Sequence, residues 1–372
     1  MNSWKWLQKK RKLKEKEKKS ALSEIKGVQQ PRTLNIGVAK EIQLKRKHIP
    51  SAQELVDAIL KGDKTALSRA ITLVESTNPE HLERANEVIN SCLPFANQSV
   101  RVGITGVPGV GKSTFIEAFG KHITAQGKKV AVLAVDPSSA VSNGSILGDK
   151  TRMEELVKDE NAYIRPSASG CSLGGVARKT RESIILCEAC GFDTILIETV
   201  GVGQSETAVH SMVDFFLLLK ITGAGDELQG IKRGIMEMAD AIVINKTDGD
   251  NIAKAKLAKA EFNRALHLFP AKSSGWIPEV YTCSALEKTG IDAIWNFINV
   301  YVLFVKENQY FDKKRQEQNQ FWMLETINEQ LKNNFYNHKE ISKCLEESKK
   351  AVINHKVSPF VAASELLKKY FG

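Results

Sequence analysis

A glycine-rich segment that follows a short apolar run constrains the fold of this chain more than any other feature. Residues 106–114 read Gly-Val-Pro-Gly-Val-Gly-Lys-Ser-Thr and match the pattern G-x-x-x-x-G-K-[ST]. An apolar run at residues 100–105 precedes this segment, and a helical pattern follows it. A buried strand, a glycine loop and a helix in this order predict a phosphate-binding loop in an α/β sheet.

Further short apolar runs predict the rest of the sheet. They alternate with helical segments and lie at residues 130–135, 194–198, 215–221, 241–245 and 280–282. Runs of this length that are apolar on both faces are typical of buried parallel strands, because helices cover both sides of such a sheet. The sequence therefore predicts an α/β fold with a mostly parallel, doubly wound sheet.

Helical patterns flank this core on both sides. Ser51 and Glu54 form a capping-box pair ahead of the first pattern. The other helical patterns lie at residues 63–74, 79–93, 318–331, 339–353 and 359–371. We expect four parts: a basic tail and linker at 1–50, an N-terminal helical segment at 51–97, a P-loop domain at 98–305 and a helical C-terminal extension at 306–372.

The net charge of +10 is confined to the start of the chain. Residues 1–50 contain 15 Lys and Arg against 4 Asp and Glu, whereas residues 51–372 contain 38 against 39. A neutral body argues against a folded domain built around a broad basic groove, so no specific nucleic-acid partner is expected. The tail, helical in pattern at residues 9–19, is interpreted as a solvated segment, with an RNA or membrane contact as the alternative.

Cysteine usage and hydropathy indicate the reducing cytoplasm. Six cysteines are scattered over 372 residues, which argues against a disulfide framework. No apolar run approaches the roughly 18 residues of a transmembrane helix, so no membrane span is expected. No apolar stretch of the kind found in secretory signals follows the first twenty residues.

The glycine segment supplies groups that bind phosphate. Its backbone N–H groups can curl around phosphate oxygens, and the helix that follows adds a partial positive charge. Lys112 is expected to reach the β- and γ-phosphates, and the Ser113 hydroxyl to ligate Mg²⁺. The predicted phosphate-binding residues are Gly106, Val107, Pro108, Gly109, Val110, Gly111, Lys112, Ser113 and Thr114.

Two later segments favour guanine as the base. Asn245, Lys246 and Asp248 belong to an Asn-Lys-Thr-Asp string that directly follows an apolar strand pattern. Ligands of open α/β sheets bind at that strand edge, and a carboxylate there can accept hydrogen bonds from N1–H and N2–H₂ of guanine. Ser284, Ala285 and Leu286 follow the last predicted strand and are expected to pack on the other side of the base. We therefore predict that GTP and GDP are the ligands.

Two acidic residues stand at the ends of predicted strands. Asp136 follows the strand pattern at 130–135, and Glu198 ends the pattern at 194–198. Each could be a helix cap or a turn carboxylate. Because both reach the edge where phosphates are expected, a role in the Mg²⁺ shell or in ordering the attacking water is favoured.

Around these motifs the chain resembles the methylmalonyl-CoA mutase-associated GTPases, the MeaB/ArgK group with its mitochondrial counterpart. The strings Glu-Thr-Val-Gly-Val-Gly-Gln-Ser-Glu at 198–206 and Gly-Ala-Gly-Asp-Glu-Leu-Gln-Gly-Ile-Lys at 223–232 are specific to this group. The other matching segments are 106–114, 135–139, 144–153, 164–167, 173–178 and 245–248. The chain departs from the family pattern in loops, at Thr222, Ala140 and Asn143.

The resemblance implies roles for several residues. Asp136, Asp149 and Glu198 would surround Mg²⁺ and the attacking water. Residues 200–206 would be a switch segment. Lys232 would reach the nucleotide from a mobile loop at 223–232 when a partner enzyme docks.

The resemblance also implies a GTPase that acts on another enzyme. Members of the family hydrolyse GTP slowly alone and are stimulated by a cobalamin-dependent acyl-CoA mutase. They gate adenosylcobalamin loading and protect methylmalonyl-CoA mutase, so cobalamin is involved only through the partner. They are homodimers, which makes the C-terminal extension the expected dimer element. The compartment would be the cytoplasm, or the mitochondrial matrix in a eukaryote.

Three other functions remain open at the level of sequence. One is a GTP- or ATP-dependent kinase of a transport protein, a label that this family has carried. A second is a metallocentre-assembly GTPase, which should carry Cys/His metal motifs. Cys187 and Cys190 form a C-x-x-C, but they lie in an apolar helix end and are interpreted as structural. The third is an interaction protein with a vestigial nucleotide site, against which the intact motif residues argue.

Overall fold

The computed structural model describes residues 49–76, 78–135, 153–166, 173–199, 205–222 and 233–372. Ser51–Gly372 form one compact unit. Within the described residues the strands are β1 (Val100–Gly106), β2 (Val130–Val135), β3 (Ala162–Arg165), β4 (Thr194–Thr199), β5 (Phe215–Ile221), β6 (Ala241–Asn245) and β7 (Glu279–Thr282). The predicted basic helix at 9–19 lies outside the described residues.

Thirteen α-helices surround these strands in the part of the chain that the structure describes. They are α1 (Ala52–Leu60), α2 (Lys64–Glu75), α3 (Pro79–Cys92), α4 (Lys112–Thr124), α5 (Glu154–Val157), α6 (Leu173–Ala189), α7 (Ser205–His210), α8 (Arg233–Met238), α9 (Asn251–Leu266), α10 (Ile291–Glu307), α11 (Tyr310–Asn337), α12 (Lys339–Ile353) and α13 (Pro359–Phe371). None of the described helices is both long enough and apolar enough to cross a membrane.

The seven strands form one sheet in the order β3-β2-β4-β1-β5-β6-β7, and every neighbouring pair is parallel. This confirms the predicted α/β fold. The chain builds one half of the sheet from β1 to β4 and then crosses to the other side of β1 with β5. The carboxyl end of β1 is therefore the switch point of the topology, where ligands of such sheets bind.

Helices cover both faces of the sheet. On one face α4 and α10 enclose a core that includes Phe119, Trp295 and Tyr301. On the other face α1, α2, α3, α6 and α7 pack over β2 and β4. A third cluster places α8 and α9 against β5 and β6. Because both faces are buried, the strands read as continuous apolar runs, and this made six of them visible in the sequence.

The sequence prediction missed strand β3. Its four residues, Ala-Tyr-Ile-Arg, pair only with β2 at the edge of the sheet. Pro166 follows directly, which ends any apolar run after three residues. An edge strand this short carries too little periodicity to be recognised.

The three predicted N-terminal helices are present, and the capping box predicted for the first of them is formed. Ser51 and Glu54 form both hydrogen bonds of the capping box at α1. The Asp63 carboxylate accepts hydrogen bonds from the Thr65 and Ala66 N–H groups at the start of α2. These caps fix where each helix begins.

The C-terminal helices α12 and α13 have the predicted bounds, but α11 is longer than the amphipathic stretch at 318–331 indicated. Its first part buries Phe311, Arg315 and Gln318 against the core. Two of these three residues are polar, so apolar periodicity fails to mark this part of the helix.

Candidate functional site

The predicted phosphate-binding loop leaves the carboxyl end of β1 and leads into α4, as its sequence requires. Gly111 has φ +90°, and a Cβ there would lie 2.9 Å from Asn245 Nδ2. At Gly106 a Cβ would lie 2.6 Å from the Leu219 carbonyl oxygen. Both positions therefore need glycine. Gly111 is also the N-cap of α4 and makes no side-chain cap, which leaves the first N–H groups of the helix facing the loop.

Lys112 lies across the loop. Its Nζ donates to the Gly106 carbonyl at 2.8 Å and to the Val107 carbonyl at 3.4 Å. Ser113 is half-buried and Thr114 is exposed, on the first turn of α4. The ammonium group is thus held at the mouth of the loop, where phosphate oxygens would meet it.

Asn245, at the end of β6, connects three segments that are far apart in sequence. Its Nδ2 donates to the Val110 carbonyl at 3.0 Å, and its Oδ1 accepts from the Ala285 N–H at 3.1 Å. The side chain is buried. The phosphate-binding loop, the Asn-Lys-Thr-Asp string and the Ser-Ala-Leu string therefore form one hydrogen-bonded unit.

Lys246 and Asp248 are oriented by the same unit. Lys246 Nζ donates to the Gly109 carbonyl at 2.8 Å and so reaches over the phosphate-binding loop. Asp248 Oδ2 accepts from Ser284 Oγ at 2.6 Å, and Ser284 Oγ in turn accepts from the Glu287 N–H. This contact fixes the Asp248 carboxylate in one orientation and leaves its other oxygen for a ligand.

The three residues of the Ser-Ala-Leu string lie in different environments. Ser284 and Ala285 are buried, and Ser284 pairs with Thr289 in an isolated antiparallel bridge. Leu286 is 77% exposed. The side chains of Ser284 and Ala285 are thus enclosed by the protein, whereas the Leu286 side chain projects into solvent.

Glu198 lies inside the sheet near its carboxyl edge. It stands opposite Ile104 of β1 and Ala134 of β2, and it is 8% exposed. The next residue, Thr199, donates from Oγ1 to Thr105 Oγ1 at 2.8 Å. The structure therefore places the Glu198 carboxylate one strand away from the phosphate-binding loop.

Three predicted site residues, Asp136, Asp149 and Lys232, lie outside the described residues. Asp136 directly follows the last residue of β2 in the sequence. The structure brings together the loop 106–114, residues 245–248 and residues 284–286. The roles of all these residues in binding and catalysis stay predictions.

Cys283 is a site residue that the sequence reasoning missed. Its Sγ lies 3.5 Å from Asn245 Oδ1, and the thiol is the donor. Burial raises the pKa of Cys283 to about 12, so the thiol keeps its proton at neutral pH. The sequence signal that could have identified Cys283 was its position directly before Ser284.

The C-x-x-C pair is buried in α6 and at its end. Burial raises the pKa of Cys190 to about 11 and that of Cys187 well above its usual value. A protonated thiol is a poor metal ligand and a poor nucleophile. Among the described residues no group of three or more His, Cys, Asp or Glu side chains is arranged to hold a metal ion.

Comparison with known proteins matches this chain to one family. The family model described as methylmalonyl Co-A mutase-associated GTPase MeaB matches residues 67–340. GTPase ArgK of Escherichia coli is 44% identical over 84% of this chain and 95% of its own length. The mitochondrial methylmalonic aciduria type A homolog of mouse is 46% identical over 85% of this chain and 79% of its own length.

A solved structure shares the fold. A crystal structure described as a LAO/AO transport system kinase aligns with 88% of this chain and 100% of its own chain. The TM-score is 0.70 and the sequence identity is 37%.

Proposed function

Because this chain belongs to the family of methylmalonyl-CoA mutase-associated GTPases, we propose that it binds and hydrolyses GTP to serve a cobalamin-dependent methylmalonyl-CoA mutase. In this role it gates the loading of adenosylcobalamin and protects the mutase against inactivation. Cobalamin is held by the mutase and not by this chain. The naming of its relatives as GTPases favours hydrolysis over the kinase and metallocentre alternatives.

The observation that carries the proposal is the position of Asn245 between the phosphate-binding loop and the two base-recognition strings. Its amide donates to Val110 on one side and accepts from Ala285 on the other. A site whose phosphate and base subsites are already joined needs little reorganisation when nucleotide binds. Guanine selectivity then follows from Asp248, which Ser284 holds in place.

Charge neutralisation is the main chemical task of the phosphate subsite. Phosphoryl transfer to water requires positioning and stabilisation of the negative charge that the γ-phosphate oxygens carry. Lys112 supplies one positive charge, and the backbone N–H groups of 106–114 and the start of α4 supply dipoles. On binding, Lys112 exchanges the carbonyl groups of Gly106 and Val107 for phosphate oxygens.

The donor atoms at this edge fit Mg²⁺. Ser113 offers a hydroxyl and Glu198 a carboxylate, and hard oxygen donors are what Mg²⁺ prefers. Asp136 and Asp149 are proposed to complete the set. When bound, Mg²⁺ neutralises phosphate charge, while Glu198 orders the water that attacks the γ-phosphate.

Stimulation by the mutase is proposed to depend on Lys232. The test measures GTP turnover of the full-length protein with and without a cobalamin-dependent methylmalonyl-CoA mutase. We expect the mutase to raise the turnover of the wild type at least about 10-fold, and the Lys232→Ala variant to lose most of that increase, because one charge contact on the γ-phosphate is worth a few kcal/mol.

A matched control and a second assay separate the alternatives. Lys254→Ala removes a lysine from the exposed side of α9 and should respond to the mutase like the wild type. Release of labelled γ-phosphate as free phosphate supports a GTPase, and label retained on a protein acceptor supports the kinase. Undiminished stimulation of Lys232→Ala would rule out its role, and failure of the mutase to copurify or to change turnover would contradict the proposed partner.

The proposed homodimer rests on an exposed apolar stripe. Phe321, Leu324, Ile327 and Leu331 lie on α11 at intervals of three and four residues and are between 47% and 55% exposed. A contiguous apolar face of this kind on a helix is typical of an interface. We propose that the stripe meets a second copy of the chain.

The proposed compartment is the cytoplasm, or the mitochondrial matrix if the source is a eukaryote.

A further inference from the structure

One face of α11 lies along the backbone that connects α7 to β5. Trp322 Nε1 donates to the Ser211 carbonyl at 3.2 Å, and Gln318 Nε2 donates to the Val213 carbonyl at 2.9 Å. One turn earlier, Lys314 Nζ donates to the Asp214 carbonyl at 2.9 Å. Residues four apart share a helix face, so these three donors form a single row. The row runs along the whole connection between the two elements.

An ion pair locks the same row in place. Arg315 donates to both carboxylate oxygens of Asp214, at 2.9 and 2.7 Å, and both side chains are almost fully buried. Asp214 also accepts from the Arg101 N–H at 2.8 Å, at the start of β1. Two parallel hydrogen bonds in a buried ion pair fix the relative orientation of the guanidinium and the carboxylate as well as the distance between them. The end of the α7–β5 connection therefore cannot shift without α11.

Helix α7 is bonded differently at its two ends. Its last residue, His210, packs edge-on against Phe216 with ring centroids 5.4 Å apart. At its start, Glu206 is 3% exposed and Ser205 is buried, and neither Glu206 Oε2 nor Ser205 Oγ has a hydrogen-bond partner among the described residues. A buried carboxylate oxygen without a partner is costly. Among the described residues, the hydrogen bonds from α11 thus lie just beyond the last residue of α7, and the two buried atoms without a partner lie at its start.

The packing of α7 reaches β1, which leads into the phosphate-binding loop. At Gly103 of β1 a Cβ would lie 3.0 Å from Val209 of α7 and 2.9 Å from Phe216. Because the contact is this close, α7 cannot be displaced without a shift of β1. The last two residues of the switch segment predicted at 200–206 are also the first two residues of α7.

We infer that Gln318 and Trp322 of α11 are positioning residues for GTP hydrolysis. They hold the carbonyl groups of Ser211 and Val213, fix the far end of α7, and through the packing of α7 on Gly103 set the position of β1, which leads into the phosphate-binding loop. The inference rests on the proposed function, because it assigns these residues to the same reaction. It assigns to α11, a helix outside the candidate nucleotide site, a part in positioning that site.

The test compares two tryptophans that make the same bond. Trp322→Phe removes the donor to Ser211 and keeps an aromatic ring beneath Arg181, whose guanidinium lies 4.5 Å from the ring centroid. Trp276→Phe is the matched control, because Trp276 Nε1 donates to the Asp240 carbonyl at the same 3.2 Å but packs on the opposite face of the sheet from α7. We expect Trp322→Phe to lower kcat about fivefold and to leave KM within about twofold, whereas Trp276→Phe changes neither.

A second variant separates an effect on kcat from a loss of folding. Gln318→Met removes the donor to Val213 at nearly constant volume, and it should reproduce the kcat effect while the thermal midpoint stays near that of the wild type. Equal losses of kcat in Trp322→Phe and Trp276→Phe would overturn the inference. Unchanged kcat in both Trp322→Phe and Gln318→Met would overturn it as well.

Amide hydrogen exchange provides a readout that does not depend on turnover. In the wild type we expect exchange in residues 314–322 to differ between GDP and a non-hydrolysable GTP analogue, together with exchange in 205–214. In the Trp322→Phe, Gln318→Met double variant the difference should persist at 205–214 and disappear at 314–322. Equal exchange of residues 314–322 with GDP and with the GTP analogue in the wild type would overturn the inference. If the protein fails to hydrolyse GTP, the proposed function fails and the inference fails with it, whereas hydrolysis without this exchange pattern overturns the inference alone.

Discussion

Asn245 is the residue on which the geometry of the candidate site depends most. The sequence marks it only as the first letter of a base-recognition string. In the fold its amide joins Val110 to Ala285, and Cys283 donates to the same oxygen. Each of these contacts spans at least 38 residues of sequence. A side chain with this many partners cannot be replaced without disturbing both subsites.

A single substitution at Asp248 tests base recognition at the same scale. Asp248→Asn replaces one acceptor oxygen by a donor, so it faces guanine N1–H and N2–H₂ with the wrong group and suits xanthine instead. We expect affinity for GTP to fall at least about 100-fold and affinity for XTP to rise, because charged hydrogen bonds are worth about 1.5–3 kcal/mol each. Binding of fluorescent GTP and XTP analogues measures both.

The control for Asp248→Asn is Asp250→Asn, two residues further on at the exposed N-cap of α9. It should keep the wild-type preference for GTP. Loss of affinity for both nucleotides in Asp248→Asn, without any gain for XTP, would mean that Asp248 supports the loop and does not read the base.

Helix α11 has two functions along its length, and these are visible only in the fold. Its first part carries Arg315 and Gln318 into the core at the base of the sheet. Its later part presents the apolar stripe that begins at Phe321. The helix therefore belongs to the P-loop domain at one end and to a proposed interface at the other. A boundary drawn at residue 306 from sequence alone lies before α11 and leaves the buried first part of this helix outside the P-loop domain.

Two ion pairs of α11 should differ sharply in their contribution to stability. Arg315→Ala leaves Asp214 buried and unpaired, so we expect the free energy of unfolding to fall by about 3–5 kcal/mol. Lys313→Ala breaks the exposed pair with Glu317 on the same helix, where solvent screens the charges, and should have little effect. Denaturant unfolding of both variants measures the difference. Similar losses in the two would show that Asp214 tolerates burial without its partner.

At the scale of the whole molecule, the excess charge and the exposed apolar residues of α11 and α13 belong to different parts of the sequence. The excess of positive charge belongs to residues 1–50, whereas 51–372 are nearly neutral. In the proposed site, nucleotide recognition accordingly relies on a few lysines, on oriented N–H groups and on acidic residues, and not on a broad basic surface. The exposed apolar residues of α11 and α13 lie at the other end of the chain, and Phe360 and Phe371 of α13 are among the most exposed.

The proposed homodimer predicts a defined change in oligomeric state. Leu324→Glu combined with Ile327→Glu places two charges in the apolar stripe, and we expect dimerisation to weaken at least about 100-fold because these charges would have to be buried. Sedimentation equilibrium measures the association. Leu257→Glu is the control, since Leu257 is 69% exposed on α9, outside the stripe. A monomeric wild type would exclude the dimer.

The sequence by itself determined the class of fold and the identity of the nucleotide motifs, because both are local. A buried strand, a glycine loop, a helix cap and the Asn-Lys-Thr-Asp string each fit within about ten residues, and their patterns follow from steric and hydrogen-bonding rules that act at that range. Six strands and the capping box of α1 were predicted in this way. Only β3, which is short and at the edge of the sheet, lacked enough residues to show its period.

Tertiary structure alone decided how these pieces are joined. Asn245 meets Val110 across 135 residues, and Arg315 meets Asp214 across 101. Such bonds run from polar side chains to distant carbonyl or carboxylate groups, so they leave no periodic trace in the sequence. Buried polar residues also interrupt the apolar pattern of α11, which hides its first turns. The sequence identified the residue types of the candidate site, and the packing of the sheet and of α11 determined which groups hold those residues in place.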